Sequence, residues 1–343
     1  MKPTLLLLSS FLFLLSSCSP QSPATLTIMT HDSFSVSEEV VKSFETANSV
    51  TFVFLPSGDA GSMLNKAILT KDAPLADVMF GVDNTFLSRA LEADIFESYV
   101  SLELQNIPDE FKLDPSNRAT PVDYGDVCIN YDKKYFAENN LAVPQNLDDL
   151  TKPEYDGLLV VENPATSSTG LAFLLATVAY YGDSFTEYWQ ALKANGVVVV
   201  DSWDTAYYTN FSASSGRGPQ PMVVSYASSP AAEVVYAETP LDDAPTASIL
   251  GPDACFRQVE FVGILKGTQN RALAEKFVDF MLSKQFQEDM PLQMFVYPVT
   301  PNAALPDVFV KYAQTPSQSA TLSPADIAAN RDAWIQAWSA VMK

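Results

Sequence analysis

The sequence predicts an α/β protein built as two lobes joined by a pair of crossing strands. Three observations predict it. Short apolar runs of strand length alternate with stretches of helical spacing; the alternation occurs in two sets; and long extended segments at 120–131 and 255–265 stand where the chain passes from one set to the other and back. A chain of 343 residues also exceeds a typical single domain and suits two cores.

The elements follow in order. Residues 5–15 are an apolar run behind Lys2, too short to span a bilayer and followed by Ser16-Ser17-Cys18. This reads as a signal peptide over 1–17, and it resembles the lipobox of bacterial lipoproteins. That resemblance makes Cys18 an acylated N-terminus and 18–24 a tether, with each buried methylene contributing about 0.8 kcal/mol to anchoring. No later apolar stretch approaches membrane-spanning length. Strands are expected at 26–29, 52–55 and 78–80, with helices at 36–44, 62–69 and 86–93 between them. This βαβα order implies a largely parallel sheet. The second set has strands at 158–161, 197–200 and 222–225, and helices at 171–181, 185–193, 205–211 and 231–236. A helix at 271–282 follows the second crossing segment, and another at 324–342 closes the chain, with Ser323 as its cap and Pro324 in its first turn. Trp189, Phe277, Trp334 and Trp338 sit at helical spacing and read as core.

Composition removes several function classes. With 20 basic residues against 41 acidic ones, the net charge is −21, so the clustered Lys and Arg that a nucleic acid requires are missing. A surface of this sign favours a cationic ligand or simply solubility. The single histidine, His31, leaves little from which to build a hydrolytic or zinc site, and there is no nucleophile elbow, Walker A motif or G-x-G-x-x-G. Paired carboxylates such as Asp32 and Asp83 remain the one enzyme-like feature. Binding without cofactor or turnover is the expectation. Beyond Cys18, Cys128 and Cys255 either form a disulfide, which an exported protein permits, or are two unrelated buried thiols.

In open α/β sheets ligands lie beyond the carboxyl ends of strands. Those positions carry His31-Asp32-Ser33-Phe34, the turn from Ser57 through Asp59 and Ala60 to Ser62, Gly81-Val82-Asp83-Asn84, and the turn from Asn163 to Gly170, which includes Ser167. The two small-residue turns open helices whose free amides attract an anion, while their serines also serve as ordinary caps. Trp203, Tyr207, Tyr226, Phe295 and Tyr297 offer flat faces for a cationic ring.

With those residues in view, the chain resembles the thiamine-binding lipoproteins and periplasmic components of ABC importers, within the type II solute-binding superfamily. The likeness runs from about Thr25 to the C-terminus. It is carried by Asp32-Ser33-Phe34, Ala76 to Asn84, Asp123-Tyr124-Gly125, Thr166 to Leu171, Ser225 to Pro230, Tyr297-Pro298-Val299, and Ser323 to Asp326 with Arg331 to Ile335. It implies a two-lobed periplasmic binding protein type II fold, with one lobe over 25–121 and 259–312 and the other over 122–258 and 313–343. By the same resemblance Asp59, Ala60 and Ser167 hold the phosphate or polar end of thiamine or its phosphates. Trp203, Tyr226 and Phe295 hold the rings, Asp32 or Asp83 a positive edge, and Asp123 and Gly125 belong to the hinge. The partners implied are an ABC permease with its ATPase and, through Cys18, a membrane; the protein would act as a monomer outside the cytoplasm. The pattern departs from the family at four points. His31 and Phe295 replace a tyrosine and a tryptophan, Ala232 replaces an aromatic, and a tryptophan soon after Phe34 is missing, so the aromatic box is thinner. A ferric-iron receptor of the same superfamily is the alternative, with Tyr207, Tyr208, His31 and Asp59 as hard donors.

Overall fold

The structure, a computed structural model, describes residues 24–213 and 217–343. The signal peptide and Cys18 lie outside the described residues. The first half alternates β1 (Ala24–Thr30), α1 (Glu38–Asn48), β2 (Val50–Pro56), α2 (Ala60–Leu69), β3 (Val78–Asp83), α3 (Leu87–Glu92) and β4 (Phe96–Glu97). Ser37 caps α1 by accepting from the Val40 amide, so the helix begins two residues later than its apolar spacing suggests. Then β5 (Thr120–Asp132) crosses the molecule and is followed by α4 (Lys133–Glu138).

The second half contains β6 (Leu159–Glu162), α5 (Ser168–Tyr181), α6 (Phe185–Ala194), β7 (Val198–Val200), a π-helical turn (Thr205–Asn210), β8 (Met222–Tyr226), α7 (Ser229–Val235) and β9 (Thr246–Ile249). After it β10 (Phe256–Leu265) returns the chain. It leads into α8 (Arg271–Met281), α9 (Lys284–Gln293), β11 (Tyr297–Pro298), α10 (Asp307–Tyr312) and α11 (Pro324–Met342).

The sheet order is β2-β1-β3-β10-β5-β8-β6-β7, with β4 on β10 and both β9 and β11 on β5. Each end is parallel, as βαβ order requires: β1 pairs β2 and β3, and β6 pairs β7 and β8. The centre is not, because β10 runs antiparallel to β3 and β5, and β5 antiparallel to β8. The expected largely parallel sheet is therefore a mixed one. The reason is that the two crossing segments pair with each other over Phe256–Val262 and Thr120–Val127, whereas the βαβ pattern describes only the strands on either side.

The largest buried cluster runs through both halves, from Met29 and Phe86 to Leu171 and Trp189, and each half adds packing of its own. In the first, Phe44, Phe52 and Phe277 form an aromatic cluster with centroids 5.0 to 5.9 Å apart. In the second, α5 is apolar all round and buried from Ser168 to Val178, as befits a helix covered on every side. Trp189 on α6 meets Trp338 of α11 at 5.7 Å, so three of the expected core aromatics, Trp189, Phe277 and Trp338, are buried. Trp334 is half-buried against the same cluster.

Where β5 and β10 lie side by side, two further links tie the crossing segments together. Cys128 and Cys255 form a disulfide. Arg257 reaches Asp126, its register partner, with Nε at 3.1 Å and Nη2 at 2.9 Å. Asp123 and Glu260 are also register partners, both buried.

Candidate functional site

Between the two halves lies a cavity of about 310 Å³, within the size range of small-molecule pockets. Its wall comes from the loops after β1, β2 and β8, the π-helical turn, the N-terminus of α5, β10 and the turn after α9. Of the residues the sequence singles out, His31, Asp32, Asp59, Trp203, Tyr207, Tyr226 and Phe295 line it. Ala60, Ser62, Ser167 and Asp83 do not; they stand behind the wall.

The aromatic side is built by local constraints. Trp203 stacks on Tyr207 at 4.9 Å with the planes 19° apart, and its indole nitrogen donates to Ser225 Oγ at 2.9 Å. The π-helical turn widens the backbone there and presents Tyr207 and Tyr208 on successive sides, a departure from α geometry that recurs at functional sites. Tyr226 donates its hydroxyl to Gln258 Oε1 at 2.9 Å. Its ring lies against Gly125, where an added Cβ would come within 2.7 Å of the ring. Thus Gly125 seats a cleft aromatic on the crossing strand. Phe295 holds a left-handed backbone at φ 53, which is costly for a bulky residue, and Ser228 Oγ secures its carbonyl.

The acidic side is equally specific. Asp59 caps α2, with Oδ1 accepting from the Ala60 amide at 2.7 Å and the Ser168 amide at 3.4 Å, while Oδ2 accepts from the Trp203 amide at 2.9 Å. Burial pushes its carboxyl up, and these hydrogen bonds oppose the shift. Ser167, at the N-cap of α5, makes no side-chain cap bond; its hydroxyl meets Thr169 Oγ1 at 3.0 Å. The amides of Gly61 and Ser62 donate to Thr166 O at 3.0 and 3.3 Å. The two turns that read as separate anion sites therefore interlock, one half against the other.

Asp83 is fully buried and caps the start of α3 through the Thr85 and Phe86 amides, at 3.1 and 3.2 Å, and Thr85 Oγ1 at 2.6 Å. Gln258 donates to its other oxygen. Burial raises its carboxyl to about 7. The Asp123 and Glu260 carboxyls are both pushed up by burial, and the Asp123 charge raises Glu260 further, whereas a hydrogen bond to Glu260 opposes the rise at Asp123. His31 Nε2 faces Glu260 at 3.6 Å, and Nδ1 meets Ser33 Oγ at 3.0 Å. Burial drops the imidazole to about 4, so it is neutral at physiological pH. It packs on Gly81, where a Cβ would fall 2.2 Å from the ring.

Sequence reasoning missed Glu260, Asp204 and Tyr236 on the wall. Glu260 had a signal, an acid inside the apolar run Val259-Glu260-Phe261 of a crossing strand. Asp204 sits beside Trp203 and reads alone as an ordinary helix-start acid. The iron donor set finds little support, because Tyr207 donates to Glu233 at 2.6 Å and both Asp59 oxygens already accept backbone amides. Among the described residues no group of three or more His, Cys, Asp or Glu side chains is arranged to hold a metal ion.

The family of bacterial extracellular solute-binding proteins matches residues 73–316. This chain belongs to that family. As a solute-binding protein it is similar to the thiamine-binding periplasmic protein of Escherichia coli K12, with 31% identity over 318 residues, 91% of this chain and 92% of that protein. Among solved structures it resembles a periplasmic thiamin binding protein at 28% identity and TM-score 0.81, covering 93% of this chain and 96% of that one. The ferric binding protein from Campylobacter jejuni shares the fold at 17% identity and TM-score 0.74, over 92% of this chain and 99% of that one. A two-lobed solute-binding protein, not an enzyme, follows from the family, and no helix among the described residues is long and apolar enough to cross a membrane.

Proposed function

We propose that this solute-binding protein serves an ABC importer and carries thiamine in the cavity between its halves. The observation that supports this reading best is the pairing of Trp203 and Tyr226 with a carboxylate-lined wall in one cavity. A thiazolium is a flat, permanently cationic ring, and each aromatic face contributes about 0.5–2 kcal/mol of cation–π attraction once water is excluded. Asp32 supplies opposite charge nearby, and the Asp59 and Glu260 carboxyls, pushed up by burial, line the same wall. The lengthwise similarity to thiamine-binding relatives supports the same assignment.

In this reading one lobe comprises 25–121 and 259–312, the other 122–258 and 313–343, and β5 and β10 form the hinge. Ligand binding favours the closed form by its greater affinity for it. Closure then presents a surface to the permease, which a separate ATPase drives. Cys18 carries the lipid anchor, 18–24 the tether, and the protein works as a monomer on the outer side of the membrane that holds it.

Tryptophan fluorescence tests the assignment. Of the four tryptophans, only Trp203 lines the cavity. Titration with thiamine is expected to give saturable quenching, and Trp203→Ala to remove most of it. Quenching by ferric ion with no response to thiamine or its phosphates would replace thiamine by iron as the ligand.

A further inference from the structure

We infer that Leu322 and the C-terminal segment around it form a stop behind the hinge, so that packing on the side away from the ligand cavity sets how readily the halves close. Leu322 is thus a positioning residue that does not line the ligand cavity. The inference rests on the hinge reading above and adds a second place where closure is controlled.

The two faces of β10 carry it. Side chains alternate along a strand. Gln258 and Glu260 point toward the ligand cavity, where Gln258 Oε1 accepts from the Tyr226 hydroxyl and Glu260 lines the wall. Arg257 and Val259 alternate with them and line a second cavity of about 180 Å³ on the opposite face. Its walls come from both sides of the hinge, since Phe111 and Leu113 precede β5, whereas Leu322 and Ile327 belong to the C-terminal segment.

Each wall is fastened to a different part of the pivot. On the first-half side, Asn84 clamps β10, with Oδ1 accepting from the Val259 amide at 3.0 Å and Nδ2 donating to Arg257 O at 3.1 Å. On the other side, the Ala320 amide donates to Cys255 O at 2.7 Å, and Ser319 Oγ donates to Asp126 Oδ1 at 2.7 Å. Farther along, α11 reaches back to the first half, where the buried Arg331 donates from Nη1 to Ser88 Oγ at 3.3 Å. Arg89, next to Ser88, is lowered by burial and then by the Arg331 charge. One hydrogen bond set against the approach of two guanidinium groups makes a seam that yields as the halves turn.

The interlocked turns of α2 and α5 lie in front of β5 and β10, and this second cavity lies behind them. Rotation about the crossing strands that parts the turns brings the rear walls together. The space behind the hinge is therefore the clearance that opening consumes. A larger side chain there is strained when the front opens and relieved when it closes, and apparent affinity follows the closed fraction.

Calorimetry with thiamine and small-angle scattering of the unliganded protein test this with variants of opposite sign. Leu322→Trp fills the cavity and is expected to tighten thiamine binding about threefold, with an unliganded radius of gyration nearer that of the liganded protein. Leu322→Ala enlarges the cavity and is expected to weaken binding about threefold, with a larger unliganded radius. A side chain of merely structural importance would weaken binding in both variants. Should Leu322→Trp fail to fold, Leu113→Phe fills the same space from the facing wall and is read in the same way. Weaker binding in both directions, or affinity and radius unchanged in both, overturns the inference and leaves the thiamine reading standing. If wild type binds no thiamine form, the thiamine reading falls and the unliganded radii alone decide this one.

Discussion

Glu260 shows how a single side chain serves function at the expense of stability. Its carboxyl is buried on the crossing strand opposite Asp123, with His31 and the cleft on its other side. Burial and the Asp123 charge hold its pKa well above the ordinary glutamate value, and Asp83 and Asp123 stand at about 7. In the range between the ordinary carboxyl value and these raised ones, the folded protein keeps protons that the unfolded chain has lost. Stability from these groups is therefore full below about pH 4 and declines as pH rises toward 7. His31 acts in the opposite sense over pH 4 to 6.5, since its depressed pKa costs stability as pH falls. The expected result for Glu260→Gln is a more stable unliganded protein at pH 8, by about 1 kcal/mol, and a shallower loss of Tm between pH 6.5 and 8. Thiamine affinity should fall in the same variant, about tenfold. Unchanged Tm with unchanged affinity would show that the carboxyl neither strains the fold nor faces the ligand. At this scale legibility depended on context. Trp203 and Tyr226 stand out because they follow recognisable strands, whereas Asp83 carries the same strand-end signature yet spends both oxygens on α3 and Gln258.

Among elements, the crossing pair β5 and β10 is the best-determined piece of the fold. Both were visible as extended runs, and both are buried along nearly their whole length, as central strands are, although they carry Asp123, Asp126, Gln258 and Glu260. Their mutual antiparallel register was not visible, because pairing depends on where the whole chain returns. The disulfide belongs to the same class of information: two cysteines separated by 127 residues carry no local sign of meeting. Shorter elements escaped for a different reason. β4 and β11 are two residues each, and α9 contains Pro291, which breaks the helical pattern that identified its neighbour α8. Closing so long a loop removes substantial entropy from the unfolded chain, so replacing Cys128 and Cys255 together by serine should cost about 4–5 kcal/mol. Urea unfolding with and without reductant measures it. A wild-type midpoint that reductant leaves in place would show that the bridge contributes nothing under those conditions.

For the whole molecule, the decisive contact is the one between halves. α2 begins against the turn before α5, with Gly61 and Ser62 amides on Thr166 O and Asp59 reaching Ser168 and Trp203. Sequence reading placed each turn at a strand end, which is the part that βαβ order dictates, and only the family resemblance implied that both serve one ligand. It did not show that the turns meet, because a helix N-terminus looks the same in sequence whether it binds a ligand or another loop. Gly61 makes the contact possible: an added Cβ would stand 2.8 Å from Thr166 O, 3.0 Å from Ala165 O and 2.9 Å from the Phe86 ring. Two of those three neighbours are backbone and cannot turn aside. Gly61→Val should therefore fold, since a helix tolerates valine better than glycine, yet hold the halves apart. Small-angle scattering with saturating thiamine is expected to show a larger radius of gyration than wild type, and affinity should drop because the closed form is less populated. If the variant instead matches wild type in both radius and affinity, the interlocked turns are incidental to closure, and the hinge strands alone set the relation between the lobes.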